Sequence, residues 1–271
     1  MDVLAALSDS SEGQTSAELA KICGISTSTC ALVLTELERR SWVTRHEDRR
    51  YTLGSGLFAL VHSLRGQFPL LDRGRDALTF LHTTLSAGCS MSKIGPTHLT
   101  TVDAIGHGTD GEHAVGQHFP IGPPFGLVAM AWRDDRAVDA WLQRVTPRLT
   151  WAEITAHRRV LAAIRDRGYG AWRFDAAHTS LHDRLTTVLA SLEPTARVTR
   201  ELSALMTMVT LQSVTHTLET ELPSTEFVVL PIFGRDGQPE YQIEIHLGGR
   251  DQLTLADLDA ALRHAQALLV A

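Results

Sequence analysis

Cysteine, long apolar runs and net positive charge are all scarce in this chain, and each scarcity excludes something. Three cysteines (Cys23, Cys30, Cys89) cannot all pair, and none stands in a Cys-x-x-Cys spacing. That pattern suits reduced thiols in a cytoplasm. No uncharged apolar run approaches the roughly 18 residues of a membrane helix. The opening MDVLAALSDS begins with an acid and lacks a basic n-region, so no signal peptide is expected. There is no G-x-S-x-G and no phosphate-cradling loop. Neither an enzyme nor a cofactor is therefore expected. What is present is 44% hydrophobic residue over 271 positions, enough for a real core and comfortable for two domains.

The net charge of −6 argues at first against a polyanionic partner, but its distribution matters more than its sum. Residues 1 to 65 hold seven basic and eight acidic side chains, and five of the seven (Arg39, Arg40, Arg45, Arg49, Arg50) fall between 39 and 50. A local basic strip exists without a basic domain. Any grip on phosphates is modest and needs more than one copy per site.

Periodicity over the same residues predicts a helix stub at 3–7, then a helix capped by Thr15 or Ser16. Gly24 predicts a break, and Ser26 caps a helix from Thr27 to Arg40 with Cys30, Val33, Leu34 and Leu37 in one stripe. Trp42 to Arg45 and Arg50 to Leu53 are strand-like around the turn HEDR. This is the winged helix-turn-helix plan. The stretch ICGISTSTCALVL gathers Ser26, Thr27, Ser28 and Thr29 where a cap needs only one hydroxyl. Such a cluster either caps redundantly or faces the acceptors of DNA.

Residues 54 to 65 predict a linker helix, with Pro69 opening the next one through about Ser86; a hinge is expected here. CSMSKI, HLTTVDAI and AVGQHFPI alternate as strands, followed by a helix from Phe125 to Trp132 and helices at 134–145, 151–167, 180–192 and 197–221. Tyr169-Gly170 is expected to close the third of these five. EFVVLPIF and EYQIEIHL flank the hairpin turn Arg235-Asp236-Gly237-Gln238, and a last helix spans 254–269. The expected class is α+β, with units at about 1–65 and 66–271.

Two stretches resemble the isocitrate-lyase-regulator (IclR-type) family of bacterial transcription factors. SAELAKICGISTSTCALVLTELERRSWVTRHEDRRYTLGSGLFAL is similar to its winged helix-turn-helix, including the Tyr51-Thr52-Leu53-Gly54 exit into the linker. VGQHFPIGPPFGLVAMAW, LAAIRDRGYGAW and VVLPIFGRDGQPEYQIEIHLGG are similar, in order, to its GAF-like antiparallel-sheet effector domain. The chain departs from the family at Leu32 and Thr27, where basic residues are common. It departs again at Ile121-Gly122-Pro123-Pro124, and in a longer helical insertion near 175–225. The resemblance implies a homodimer or tetramer that binds double-stranded operator DNA and senses a small organic metabolite. It leaves effector, operator and the choice between repressor and activator open.

The DNA-binding residues expected on this basis are Ser26, Thr27, Ser28, Thr29, Arg45, Arg49 and Arg50. Arg39 and Arg40 serve the helix dipole and solvent equally well. For the effector, Gln242, Glu244 and His246 alternate with Tyr241, Ile243 and Ile245, as Ser90 and Ser92 do with Cys89 and Met91. The polar face is either solvated or the lining of a cavity. The candidates are Ser90, Ser92, Asp103, Phe125, Glu244 and His246. Two rivals remain: an interaction protein whose winged helix no longer binds DNA, and a metalloprotein. The second would use His107, His113 and His118 with Asp103, Asp110 and Glu112, or His178 and His182 beside Asp183. Neither group has a recognised ligand spacing, so no metal is expected.

Overall fold

Caps set the N-terminal helices. Thr15 and Glu18 form a reciprocal capping box, with the Thr15 N–H donating to Glu18 Oε2 at 2.7 Å and the Glu18 N–H to Thr15 Oγ1 at 3.3 Å. The chain is described here by a computed structural model covering residues 3–8, 10, 12–68, 70–106, 115–123, 125–144, 148–172, 225–248 and 253–270. It divides into two compact units, Met1–Pro69 and Leu70–Ala271.

In the first unit α1 (Val3–Ser8) and β1 (Gln14–Thr15) precede α2 (Ser16–Cys23) and α3 (Thr27–Arg39). Gly24, at φ 65°, ends α2 in the left-handed conformation, and α3 leaves at 111° to α2, within the usual range of a helix-turn-helix. Leu7, Leu19, Cys30, Leu34 and Val43 form the core of this unit. β2 (Val43–Arg45) and β3 (Arg50–Leu53) make the hairpin, and β1 adds to β3 in the order β1-β3-β2. The expected helix at 54–65 is a 3-10 turn, Ser55–Leu57, followed by α4 (Phe58–Gln67). None of the residues of α4 is buried, and Phe58, Leu60, Val61 and Leu64 are exposed.

The second unit runs α5 (Leu70–Leu85), β4 (Gly88–Ile94), β5 (His98–Ile105), β6 (His118–Pro120), α6 (Leu127–Met130), α7 (Asp135–Leu142), α8 (Trp151–Arg167), β7 (Gly170–Trp172), β8 (Phe227–Phe233), β9 (Pro239–His246) and α9 (Leu255–Val270). Its strands form one antiparallel sheet in the order β6-β5-β4-β9-β8-β7. One face, with Met91, Leu230, Ile243 and Ile245, packs on Leu78 and Leu81 of α5 and Leu258 and Leu262 of α9. On the other, Leu99, Phe119, Phe227 and Val229 cluster with Leu127, Val128, Trp141 and Ile164 of α6 to α8. The sheet is therefore covered on both sides.

Two boundaries differ from expectation for local reasons. The helix expected from Phe125 shortens to Leu127–Met130, because Gly126 takes φ 85° and the Phe125 N–H closes a turn on Gly122 O. Gly168, not Gly170, ends α8, at φ 90° with its N–H on Ile164 O. Tyr169 is then free to bury its ring and donate its hydroxyl to Asp259 Oδ1 at 2.9 Å, where desolvation and the carboxylate raise its pKa. The helices expected at 180–192 and 197–221 lie outside the described residues.

Burial divides the thiols. Cys30 and Cys89 are buried while Cys23 is half-buried, and desolvation pushes the Cys89 thiol up from 9.0 to about 12. Iodoacetamide at mildly alkaline pH should therefore modify Cys23 in the native chain and all three cysteines in denaturant. Mass mapping that finds Cys89 labelled as fast as Cys23 would contradict this packing.

Candidate nucleic-acid interface and ligand face

The hydroxyl cluster at the start of α3 is a surface feature. Ser26 accepts the Thr29 N–H at 3.1 Å and so supplies the cap. Its Oγ also lies 2.9 Å from Ser28 Oγ and 2.8 Å from Thr29 Oγ1. Ser26, Thr27, Ser28 and Thr29 are all exposed. One hydroxyl serves the helix, and the others crown its N-terminus, where backbone N–H groups favour phosphate oxygens.

The arginines divide by their neighbours. Arg45 is exposed, with its guanidinium 5.9 Å from the Tyr51 ring centre. Arg49 sits at the hairpin tip with φ 66°, its N–H on His46 O, at the left-handed position that glycine normally fills in such a loop. Arg50 does not join them. Its Nη1 donates to Gly13 O at 2.9 Å and lies 3.6 Å from Glu18 Oε2, so it fastens the wing to the loop before α2. Arg39 and Arg40 close on Glu36, and their hydrogen bonds hold that carboxyl down at about 2.

In the second unit Ser90 pairs with Glu244 and Ser92 with Gln242 across β4 and β9, while Val229 and Phe227 lie opposite Glu244 and His246 across β8. Directly opposed residues share a face. The shared face here is the one under α6 to α8, because Tyr241, Ile243 and Ile245 belong to the core on the other side. Ser90, Ser92 and Gln242 are buried. His246 Nε2 lies 3.2 Å from Glu244 Oε1, and the His246 ring stacks on Phe227. Phe125 belongs to the covering layer: its ring stacks near Phe119 and its carbonyl accepts Trp141 Nε1–H at 3.0 Å.

Asp103 lies elsewhere. The register shifts between Met91 and Ser92, so that Met91 pairs with Asp103 but Ser92 with Thr101. This bulge turns Asp103 to the α5 side, where Arg75 Nη1 donates to it at 2.7 Å. Thr101 takes its place on the polar face, and neither its Oγ1 nor Gln242 Oε1 has a hydrogen-bond partner among the described residues although both are buried. His157 of α8 was also missed in the sequence. It is fully buried beside Trp141, donates Nδ1–H to Glu153 O at 2.8 Å, and leaves Nε2 buried without a partner among the described residues. Burial lowers its pKa and keeps the ring neutral.

The histidine clusters form no site among the described residues, where no group of three potential metal ligands occurs. His118 instead lies 2.9 Å from Thr100 Oγ1, whereas His107, Asp110, Glu112, His113, His178, His182 and Asp183 lie outside the described residues. A cleft of about 520 Å³ lined by Trp132, Arg133, Asp134, Ala137, Arg165 and Gln238 contains none of the expected effector residues.

A winged helix-turn-helix followed by a six-stranded antiparallel sheet is the fold of IclR-type transcriptional regulators. The crystal structure of the Thermotoga maritima IclR matches at a TM-score of 0.60 and 16% identity, over 98% of this chain and 94% of that one. Pseudomonas aeruginosa HmgR matches at 0.58 and 17%, over 98% and 95%. An IclR homolog from Microbacterium hydrocarbonoxydans, complexed with 4-hydroxybenzoate, matches at 0.57 and 16%, over 94% and 89%. At these identities the likeness is one of fold. No family model matches the sequence, nor does any curated protein.

Proposed function

We propose that this chain is a DNA-binding transcriptional regulator of the IclR type, a binding protein and not an enzyme. Ser26 to Thr29 at the start of α3 and Arg45 and Arg49 on the wing meet operator DNA. A small organic metabolite is sensed on the polar face carrying Ser90, Ser92, Thr101, Gln242, Glu244 and His246. The observation that carries this reading is the uncovered, hydroxyl-rich start of α3 in a winged helix-turn-helix whose hairpin tip holds a cation. Arg50 contributes by holding the wing in place.

The apolar exposed side of α4, with Phe58, Leu60, Val61 and Leu64, supports assembly with a second copy. A dimer presents two recognition helices at a fixed spacing to two half-sites. An effector alters that presentation only by its differential affinity for two states. Glu244 beside His246 suits a neutral or proton-donating ligand, such as a phenol, better than a plain carboxylate.

The test is a mobility shift with a random duplex pool at low salt, comparing the chain with an Arg45→Ala/Arg49→Gly variant. Glycine is at ease at the position of Arg49, so the variant's wing should be as stable as the original or more so by about 1 kcal/mol. Loss of two phosphate contacts should lower the log–log salt slope by about 1.8. An unchanged slope, or no retention of any duplex by the unaltered chain, favours the interaction-protein reading, for which the bare Thr27 and Leu32 speak.

A further inference from the structure

We infer that α3 reads thymine methyl groups, with Leu32 as the residue that sets the preference; this rests on the DNA-binding reading above. Between Thr27 and Glu38 the sequence TSTCALVLTELE contains no Arg, Lys, Asn, Gln or His. The side chains that pair bidentately with guanine or adenine edges are therefore missing from this helix before its last residue, Arg39, which is bonded to Glu36. Cys30 and Leu34 face the core, and the helical repeat sets Ser28, Leu32 and Thr35 on the opposite side.

Leu32 is 74% exposed at the centre of that side. Such a large apolar side chain has no role in the fold of its own unit. Thr35 donates its hydroxyl to Ala31 O at 2.9 Å, which leaves its methyl for outside contact. Of the two carboxylates on this helix that could take a cytosine amino group, Glu36 is closed on Arg39 and Arg40, and the helical repeat turns Glu38 away from the Leu32 side. Ala31, Leu32 and Thr35 thus form a short apolar strip with Ser28 at its N-terminal end.

Of the four bases only thymine presents an apolar group in the major groove, its C5 methyl. A protein partner fits the strip less well. A stable interface needs about 800 Å² per side, whereas this strip is three residues wide and bounded by hydroxyls on one end and the Glu36–Arg39–Arg40 cluster on the other.

The experiment selects duplexes from a random pool with the full chain, then replaces thymine by uracil position by position in the recovered sequence. Recovered half-sites should carry adjacent thymines, and each methyl that touches the strip should cost about fourfold in affinity when removed. Leu32→Ala, an exposed change that leaves the fold intact, should still bind but no longer distinguish uracil from thymine. Leu32→Arg should shift the recovered base toward guanine. The inference is overturned by uracil duplexes that bind as well as thymine ones, or by an unaltered base preference in Leu32→Ala. A smaller sedimenting species in Leu32→Ala with that preference intact would place Leu32 against a second copy instead. Failure of the unaltered chain to retain any duplex overturns the DNA-binding reading itself, and this inference with it.

Discussion

A Gly54→Val chain should lose its winged hairpin and its DNA retention together, while the second unit stays folded. The reason is close approach rather than backbone freedom, since Gly54 has φ −102°. A Cβ at this position would lie 2.3 Å from Ser41 O and 2.9 Å from Val43 N. Both are main-chain atoms, Ser41 in the turn after α3 and Val43 at the start of β2, and the Gly54 N–H donates to Trp42 O between them at 2.8 Å. No rotamer change relieves such a clash, so the hairpin must shift or open. Overpacking a well-filled site costs about 1–3 kcal/mol, more where backbone has to move. A unit of this size has little stability to lose. Hydrogen exchange on amides 43–54 measures the outcome directly: protection should collapse in the variant, and unchanged protection would refute the packing described here.

Gln242→Leu and Thr101→Val should each raise the stability of the ligand-free chain while removing its response to effector. Gln242 Oε1 and Thr101 Oγ1 are buried without a partner among the described residues, and an unsatisfied buried polar atom costs about 1–3 kcal/mol. Apolar side chains of similar shape escape that cost. Polar atoms held at a loss on one face of a sheet, beside Ser90, Ser92 and the Glu244–His246 pair, are what a ligand site needs before its ligand arrives. Thermal unfolding of the two variants should shift upward by a few degrees. A downward shift would show that Gln242 and Thr101 support the fold instead of awaiting a ligand.

The legible parts of the sequence were those governed by near neighbours. Thr15 with Glu18, Gly24 and Ser26 mark both helices of the helix-turn-helix within a few residues of each boundary, and the polar alternation of Gln242, Glu244 and His246 was plain. What stayed hidden depended on distant chain. β1 is two residues long, too short to show a period, and exists because β3 offers it an edge. Asp103 looked like part of the polar row until the bulge opposite Met91 and Ser92 turned it over and put Thr101 there. Arg50 looked as free as Arg49, but Gly13, 37 residues away in sequence, supplies the carbonyl that holds it. His157 had no local signature, because its role depends on Trp141 from another helix.

Cross-linking from the start of α3 is the most direct measurement of the central claim. In a Cys23→Ser background, Ser28→Cys carrying a photoreactive group is irradiated with duplexes that the chain retains, alongside Thr83→Cys on the exposed side of α5 as reference. Position 28 should join to bases within the bound site and position 83 should not. DNA retained without any adduct at position 28, or with equal adducts at both positions, would mean that this helix does not enter the groove.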